Sequence, residues 1–184
     1  RGHKVPKRHA VPAANVFDIS GRDLIELAPA FDEEDLSAKG FYIGTGARVF
    51  RPMADWAAVS LGARAAAGAR FLQTQLCFNM DILRQYMQRF VEAKLTWKYS
   101  VLVSLSPLPS AVTAKWVKEN MGDSRIPAEV IQRLEDASDP KQEGIRICAE
   151  LMQEISGIPG VSGVNLMTTG DPEAIPAAIK ASGL

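Results

Sequence analysis

The sequence predicts an α/β fold in which short parallel strands alternate with helices. Three observations predict it: four short apolar segments rich in β-branched or aromatic residues, helical periodicity between them, and turn-forming residues at their boundaries. Regular alternation of strand and helix favours parallel strands joined by crossover helices. At 184 residues the chain has the length of a single domain, so we predict one domain over residues 1–184.

The four predicted strands begin after a long N-terminal segment. Residues 1–39 are predicted to form a loop with one short helix near 20–28, and residues 40–184 to form four strand–helix units. The strand segments are GFYIGTGA, RFLQTQL, YSVLVSL and GVNLMTT, at residues 40–47, 70–76, 99–105 and 163–169. Each is short and bounded by turn formers, as strands in a sheet usually are.

Helical patterns fill the intervals between these strands. Asn79 is a candidate N-cap, and Pro127 is well placed for a first helical turn. The predicted helices cover 55–67, 79–95, 110–121, the segment IPAEVIQRLEDA at 126–137, 141–156 and 172–182. Four such units can form a small open sheet or half of an eight-stranded β/α barrel, which typically has about 250 residues. Periodicity alone leaves both architectures open.

Charge and composition limit the classes of partner and site. Twenty-one basic residues balance 21 acidic ones, so we expect neither a nucleic-acid nor a membrane partner. The two cysteines are far apart, and the two histidines, His3 and His9, are both N-terminal, so no metal site is predicted. Without a signal peptide or disulfide framework, a cytoplasmic location is the default. The chain has no initiating Met, so we expect a processed product or part of a longer protein.

The segment FLQTQL carries three polar side chains, Gln73, Thr74 and Gln75, that need partners. Phe71, Gln73 and Gln75 share one face of the strand, and Gln75 is the last of them. An unpartnered buried amide costs about 1–3 kcal/mol, so Gln75 must bond to neighbouring backbone or face a ligand. A ligand at the carboxyl end of the strand would meet both a donor and an acceptor. The residues alone leave both alternatives open.

Small and polar residues also mark the first and fourth strands. Gly44 and Gly46 would allow a ligand close to the backbone, although their spacing is not that of a dinucleotide-binding loop. Thr169 or Asp171 could cap the following helix, or the helix N-terminus could receive an anion. The sequence contains no recognisable nucleophile–base pair, so chemistry would require a bound cofactor or groups outside this chain.

Four landmarks together resemble the methylenetetrahydrofolate reductase family over about residues 16–184. They are AAAGARFLQTQLCFN, LVSLSPLPS, RIPAEVIQRLEDA, and EGIRICAELMQEI followed by GVSGVNLMTT. Members of that family are β/α barrels that use FAD to pass a hydride from NAD(P)H to 5,10-methylenetetrahydrofolate, giving 5-methyltetrahydrofolate. The resemblance implies a TIM-type β/α barrel to which this chain supplies about four of the eight βα units, as the C-terminal half.

The resemblance also implies roles for individual residues. Gln75 matches the family glutamine that contacts the folate pterin, and Leu134 and Thr169 are implied as further substrate contacts. Many members have an aromatic residue at about the position of Leu134. The residues implied to lie near the flavin are Gly44, Thr45, Ser60 and Arg64. The family's catalytic carboxylate lies in the other half of the barrel, so no catalytic residue is assigned here.

Departures from the family pattern define the alternative functions. Before AGARF, members commonly carry several polar and basic residues, whereas here only Ser60 and Arg64 keep that character. A flavin-free, folate-dependent one-carbon enzyme is therefore the second hypothesis. The third is a non-catalytic folate-binding or scaffold subunit. In each case we expect a homo-oligomer, or a missing N-terminal half or partner, to complete the barrel.

Overall fold

The computed structural model describes residues 19–28, 41–168 and 170–184. Its four strands form one parallel sheet in the order β1 (Gly44–Ala47), β2 (Phe71–Leu76), β3 (Ser100–Leu105) and β4 (Gly163–Leu166). The predicted α/β fold with a parallel sheet is therefore confirmed. Most of the predicted N-terminal loop, both histidines and Thr169 lie outside the described residues.

The helices of the described part alternate with the strands, apart from three consecutive helices between β3 and β4. They are α1 (Gly21–Leu27), α2 (Val59–Ala66), α3 (Met80–Glu92), α4 (Ala111–Asn120), α5 (Ala128–Asp136), α6 (Pro140–Ser156) and α7 (Ala174–Ser182). A 3₁₀ turn, Leu95–Trp97, follows α3.

Side-chain caps fix where several of these helices begin. The Oδ1 atom of Asn79 accepts a hydrogen bond from the backbone N–H of Ile82 at 2.9 Å, so Asn79 is the N-cap that the sequence predicted. Pro127 precedes α5 directly. The helix α2 begins at Val59, four residues later than predicted, because Ala58 has a left-handed backbone (φ 51°) that cannot continue a right-handed helix.

The helices α2, α3, α6 and α7 pack against one face of the sheet. That face carries Leu72, Val101 and Val103, which are buried in the main core with apolar residues of α2, α3, α6 and α7. A second core lies beyond the carboxyl ends of the strands, where α4, α5 and α6 pack around Leu76 and Leu108. We call the opposite face, which carries the exposed side chain of Gln73, the open face of the sheet.

A register shift between β2 and β3 explains the threonine in the middle of β2. Gln73 pairs with Leu102, but Leu76 pairs with Ser104, so one extra residue of β2 is accommodated. The Thr74 hydroxyl accepts a hydrogen bond from the Ser104 N–H at 2.9 Å, and the Ser104 hydroxyl donates to the Thr74 carbonyl at 2.7 Å. The two hydroxyls therefore replace ladder bonds that the bulge interrupts.

The described residues contain neither a helix suited to span a membrane nor a cluster of metal-binding side chains. No helix within them combines the length and the apolar character that spanning a membrane requires. The same ranges contain no group of three or more His, Cys, Asp or Glu side chains that could hold a metal ion.

Both cysteines are expected to be unreactive in the folded protein. Cys77 and Cys148 are buried, free thiols, and burial raises the pKa of each to about 12. The thiolate is the reactive species, so at about pH 8 we predict that iodoacetamide modifies neither residue before unfolding and both in denaturant. Intact mass would measure this, and rapid labelling of the native protein would contradict it.

Candidate functional site

A groove of about 1270 Å³ runs along β1, one of the two edge strands of the sheet. We call it the β1 groove; residues of α1, β1, α2, β2 and the segment 48–50 line it. Its lining includes Gly44, Thr45, Gly46, Ser60, Arg64 and Gln75. The fold therefore brings five of the sequence-predicted site residues, from β1, α2 and β2, to one concave surface.

Arg64 connects α2 to the edge strand. Its Nη1 atom donates to the Thr45 hydroxyl at 2.8 Å and to the Gly46 carbonyl at 2.5 Å, and its Nε donates to the Ser60 carbonyl at 3.3 Å. No carboxylate within the described ranges pairs with this guanidinium, and its Nη2 bonds to no group there. The groove therefore contains a half-buried positive charge whose Nη2 hydrogens are available to an anion.

The glycines of β1 differ in what they permit. A Cβ atom on Gly44 would lie 2.1 Å from the Phe71 ring, so this glycine makes room for an aromatic side chain. That ring stacks on Tyr42 with 5.6 Å between centroids and 8° between planes. A Cβ on Gly46 would meet only the Gln73 carbonyl, at 4.0 Å, so the backbone at Gly46 is open to a ligand.

An aromatic wall, formed by Phe50, Trp56 and Tyr86, also lines the groove. The ring centroids of Phe50 lie 5.5 Å from Trp56 and 5.6 Å from Tyr86, and Trp56 lies 5.2 Å from Tyr86. Burial raises the pKa of the Tyr86 phenol to about 12, so it is a neutral hydrogen-bond donor at physiological pH. No local sequence pattern indicates this wall, because Phe50 and Trp56 lie in the loop between β1 and α2, whereas Tyr86 lies in α3.

The Gln75 amide bonds to backbone, which is the first of the two alternatives the sequence left open. Its Oε1 accepts from the Val49 N–H at 2.9 Å. Its Nε2 donates to the Val49 carbonyl at 3.1 Å and to the Asp123 carbonyl at 3.0 Å. Gln75 lines the groove, but both of its amide hydrogens are already used.

The remaining predicted positions lie elsewhere. Leu134 is 1% exposed and packs in the second core between α4, α5 and α6, so the structure does not bring it to the groove. Asp171 accepts from the Glu173 N–H at 3.2 Å, just before α7, and pairs with Lys141 at 2.7 Å. The hydrogen bond from Lys141 holds the pKa of Asp171 below its usual value. This carboxylate opposes anion binding at the start of α7.

Residues 50–183 match the family described as methylenetetrahydrofolate reductase. No curated protein matches the chain. One similar structure is described as an uncharacterized protein from Clostridium thermocellum that binds two copies of 5-methyl-5,6,7,8-tetrahydrofolic acid.

That structure shares 17% sequence identity with this chain at a TM-score of 0.60, which indicates a similar fold. The aligned region covers 89% of this chain but 58% of the other, so this chain spans less than two thirds of that protein. The family match extends over well more than half of the sequence and includes α2, β2 and every later element. The chain therefore belongs to the methylenetetrahydrofolate reductase family.

Proposed function

We propose that this chain binds a reduced folate and takes part in a reductase reaction. In that reaction a hydride passes from NAD(P)H, through FAD, to 5,10-methylenetetrahydrofolate. The β1 groove is the observation that carries the proposal. It gathers Thr45, Ser60 and Arg64, the polar residues that the family resemblance assigns to the flavin, on one surface beside an aromatic wall. A concave groove with aromatic sides and a few convergent polar groups is typical of ligand sites.

The residues of the groove fit FAD in two respects. The unpaired Nη2 of Arg64 and the exposed Ser60 hydroxyl are suited to a diphosphate. The open backbone at Gly46 allows a flat group to approach. When bound, FAD would supply the hydride-relay chemistry, and the residues named here would hold and orient it.

A flavin-free function is the second candidate, and one feature of α2 favours it. Arg64 is the single basic residue of α2, and two of its nitrogens already bond to Thr45, Gly46 and Ser60. One free Nη2 suits a carboxylate as well as a phosphate, and a reduced folate carries carboxylates. The Clostridium thermocellum protein, which binds two reduced folates, supports a groove that accepts a second folate instead of FAD. A non-catalytic folate-binding subunit would use the same residues.

An absorption spectrum of the natively purified protein separates these candidates. A flavin band near ~450 nm that NAD(P)H bleaches and methylenetetrahydrofolate restores would support the flavoprotein reductase. A colourless protein that binds reduced folate would favour the flavin-free candidates, and turnover with NAD(P)H would then distinguish an enzyme from a binding subunit. A protein that binds neither flavin nor reduced folate would contradict all three.

Replacing Arg64 by Met is predicted to weaken binding of the anionic ligand by about tenfold or more, because a charge-assisted hydrogen bond is lost. Arg70 provides the matched control, since it is an exposed arginine that does not line the groove. Titration of both variants with 5-methyltetrahydrofolate, and with FAD, would measure the effect. Equal affinities for the two variants would contradict a ligand role for Arg64.

We also propose that the sheet is about half of a β/α barrel. Parallel sheets are usually covered on both faces, whereas here Gln73 is exposed on the open face, and β1 and β4 are both edge strands. Further βα units, from a longer chain, a second copy or a partner subunit, would cover this face. Analytical ultracentrifugation and thermal melting test this: a monodisperse, cooperatively melting 184-residue monomer would contradict it.

A further inference from the structure

We propose that Asn165, near the carboxyl end of β4, binds the ring system of the ligand. Its amide would pair with a cyclic amide, the N–H beside a C=O that the pterin of a reduced folate and the isoalloxazine of a flavin both carry. The inference rests on the proposed function, because it names a further contact for the ligand of the β1 groove.

The strand pattern places Asn165 on the open face of the sheet. Its neighbours in β4, Val164 and Leu166, both pack against the main core. Because successive side chains of a strand point to opposite faces, Asn165 lies on the other side, where it is only partly exposed. Its partner in β3, Ser104, shares that face, since both strand neighbours of Ser104 also belong to the main core.

Hydrogen bonds fix the direction in which the Asn165 amide points. The Ser104 hydroxyl has one hydrogen, which it donates to the Thr74 carbonyl at 2.7 Å. Towards Asn165 the hydroxyl oxygen can therefore only accept, and the Nδ2 atom of Asn165 donates to it at 3.2 Å. Ser104 is 0% exposed, so water does not compete for these bonds. The arrangement turns the Oδ1 atom of Asn165 away from Ser104.

The rest of this amide is free within the described part of the chain. Neither Oδ1 nor the second Nδ2 hydrogen of Asn165 bonds to a side chain or backbone group there. One acceptor and one donor on the same amide match the C=O and N–H of a cyclic amide, as when an asparagine pairs with the edge of a base. Because Ser104 already holds the amide, Asn165 would lose little freedom when it binds a planar ring.

A ligand in the β1 groove can reach Asn165. The groove opens onto the same face of the sheet, because Gln73 and Gln75 of β2 lie on that face and line the groove. Adjacent strands are about 4.8 Å apart, so Asn165, two strands beyond β2, lies roughly 10 Å from that strand. A reduced folate and FAD both extend beyond this distance. One ligand can therefore occupy the groove and meet Asn165 on the open face.

Ser100 provides the control position. It lies four residues before Ser104 on the same face of β3, its side chain is exposed, and it does not line the groove. At about 3.3 Å per residue, it is roughly 13 Å from Ser104 along the strand. Ser100→Ala therefore removes a polar group from the open face at the amino end of the sheet, away from the carboxyl ends where we place the ligand.

Titration of the natively purified protein with 5-methyltetrahydrofolate and, separately, with FAD tests the role of Asn165. Asn165→Leu removes the donor and the acceptor at nearly constant side-chain size. We expect it to weaken binding by about tenfold or more, as when one or two hydrogen bonds are lost, whereas Ser100→Ala leaves both affinities unchanged. A loss confined to the folate assigns Asn165 to the pterin, and a loss confined to FAD assigns it to the flavin. Asn165→Ala provides a second variant if Asn165→Leu does not fold.

Unchanged affinity for both ligands in a folded Asn165 variant would overturn the proposal. A lower melting temperature with unchanged affinities would show instead that the amide partners the βα units that complete the barrel. If the wild-type protein binds neither ligand, the proposed function fails, and the role of Asn165 fails with it. Wild-type binding that the Asn165 variants retain in full would refute the role of Asn165 alone.

Discussion

Replacing Gly144 by Ala is expected to lower the free energy of unfolding by about 3 kcal/mol, the upper part of the range for overpacking. Gly144 lies in α6, directly against the loop that follows β3. A Cβ atom there would stand 1.9 Å from the Leu108 carbonyl oxygen and 2.8 Å from its carbon. These are backbone atoms, so relief requires α6 or the loop to move. Both also contribute to the second core.

Gly62→Ala is the matched control for this substitution. Gly62 is also a helical glycine, in α2, and a Cβ there would meet no atom within 4 Å. Alanine is favoured over glycine in helices, so this variant should gain about 0.5–1 kcal/mol. Urea denaturation would measure both variants. A stable Gly144→Ala protein would show that α6 does not approach the loop this closely.

Phe90→Ala is predicted to cost about 3–5 kcal/mol, as usual for truncation of a fully buried aromatic residue. Phe90 is 0% exposed on α3, with ring centroids 6.3 Å from Tyr86 and 6.2 Å from Tyr99. The cavity would lie behind Tyr86, a member of the aromatic wall. We therefore expect weaker ligand binding as well as lower stability.

Trp97→Ala controls for loss of an aromatic side chain as such. Trp97 is 90% exposed in the 3₁₀ turn after α3, so its truncation should change stability by no more than about 0.5 kcal/mol. Denaturation of the two variants side by side would measure the difference. Similar losses from both substitutions would contradict the placement of Phe90 in the core.

The central strands could be predicted closely from sequence, because burial imposes a simple pattern on them. The strands β2 and β3 each begin one residue inside the predicted segment and end where predicted. The edge strands β1 and β4 are shorter than predicted, at four residues each, because each can pair along only one side. The start of α2 could not be predicted, because it is set by the left-handed backbone of Ala58, and alanine has no preference for that conformation.

The site could be predicted only in part. Thr45, Ser60 and Arg64 were identified through the family resemblance, and they do meet at the groove. The partners of Gln75 are 26 and 48 residues away in the sequence, so no local pattern could have revealed that its amide bonds to backbone. Leu134 lies on the apolar face of α5, which is buried in the second core, so its side chain is not available to contact a ligand.

Isothermal titration of the natively purified chain with 5-methyltetrahydrofolate tests the central claim most directly. We predict saturable binding that Arg64→Met weakens and Arg70→Met does not. One bound folate beside retained flavin would support the reductase, whereas two folates without flavin would support the flavin-free candidate. The absence of binding to a folded, monodisperse protein would contradict the claim that the β1 groove belongs to a reduced-folate site.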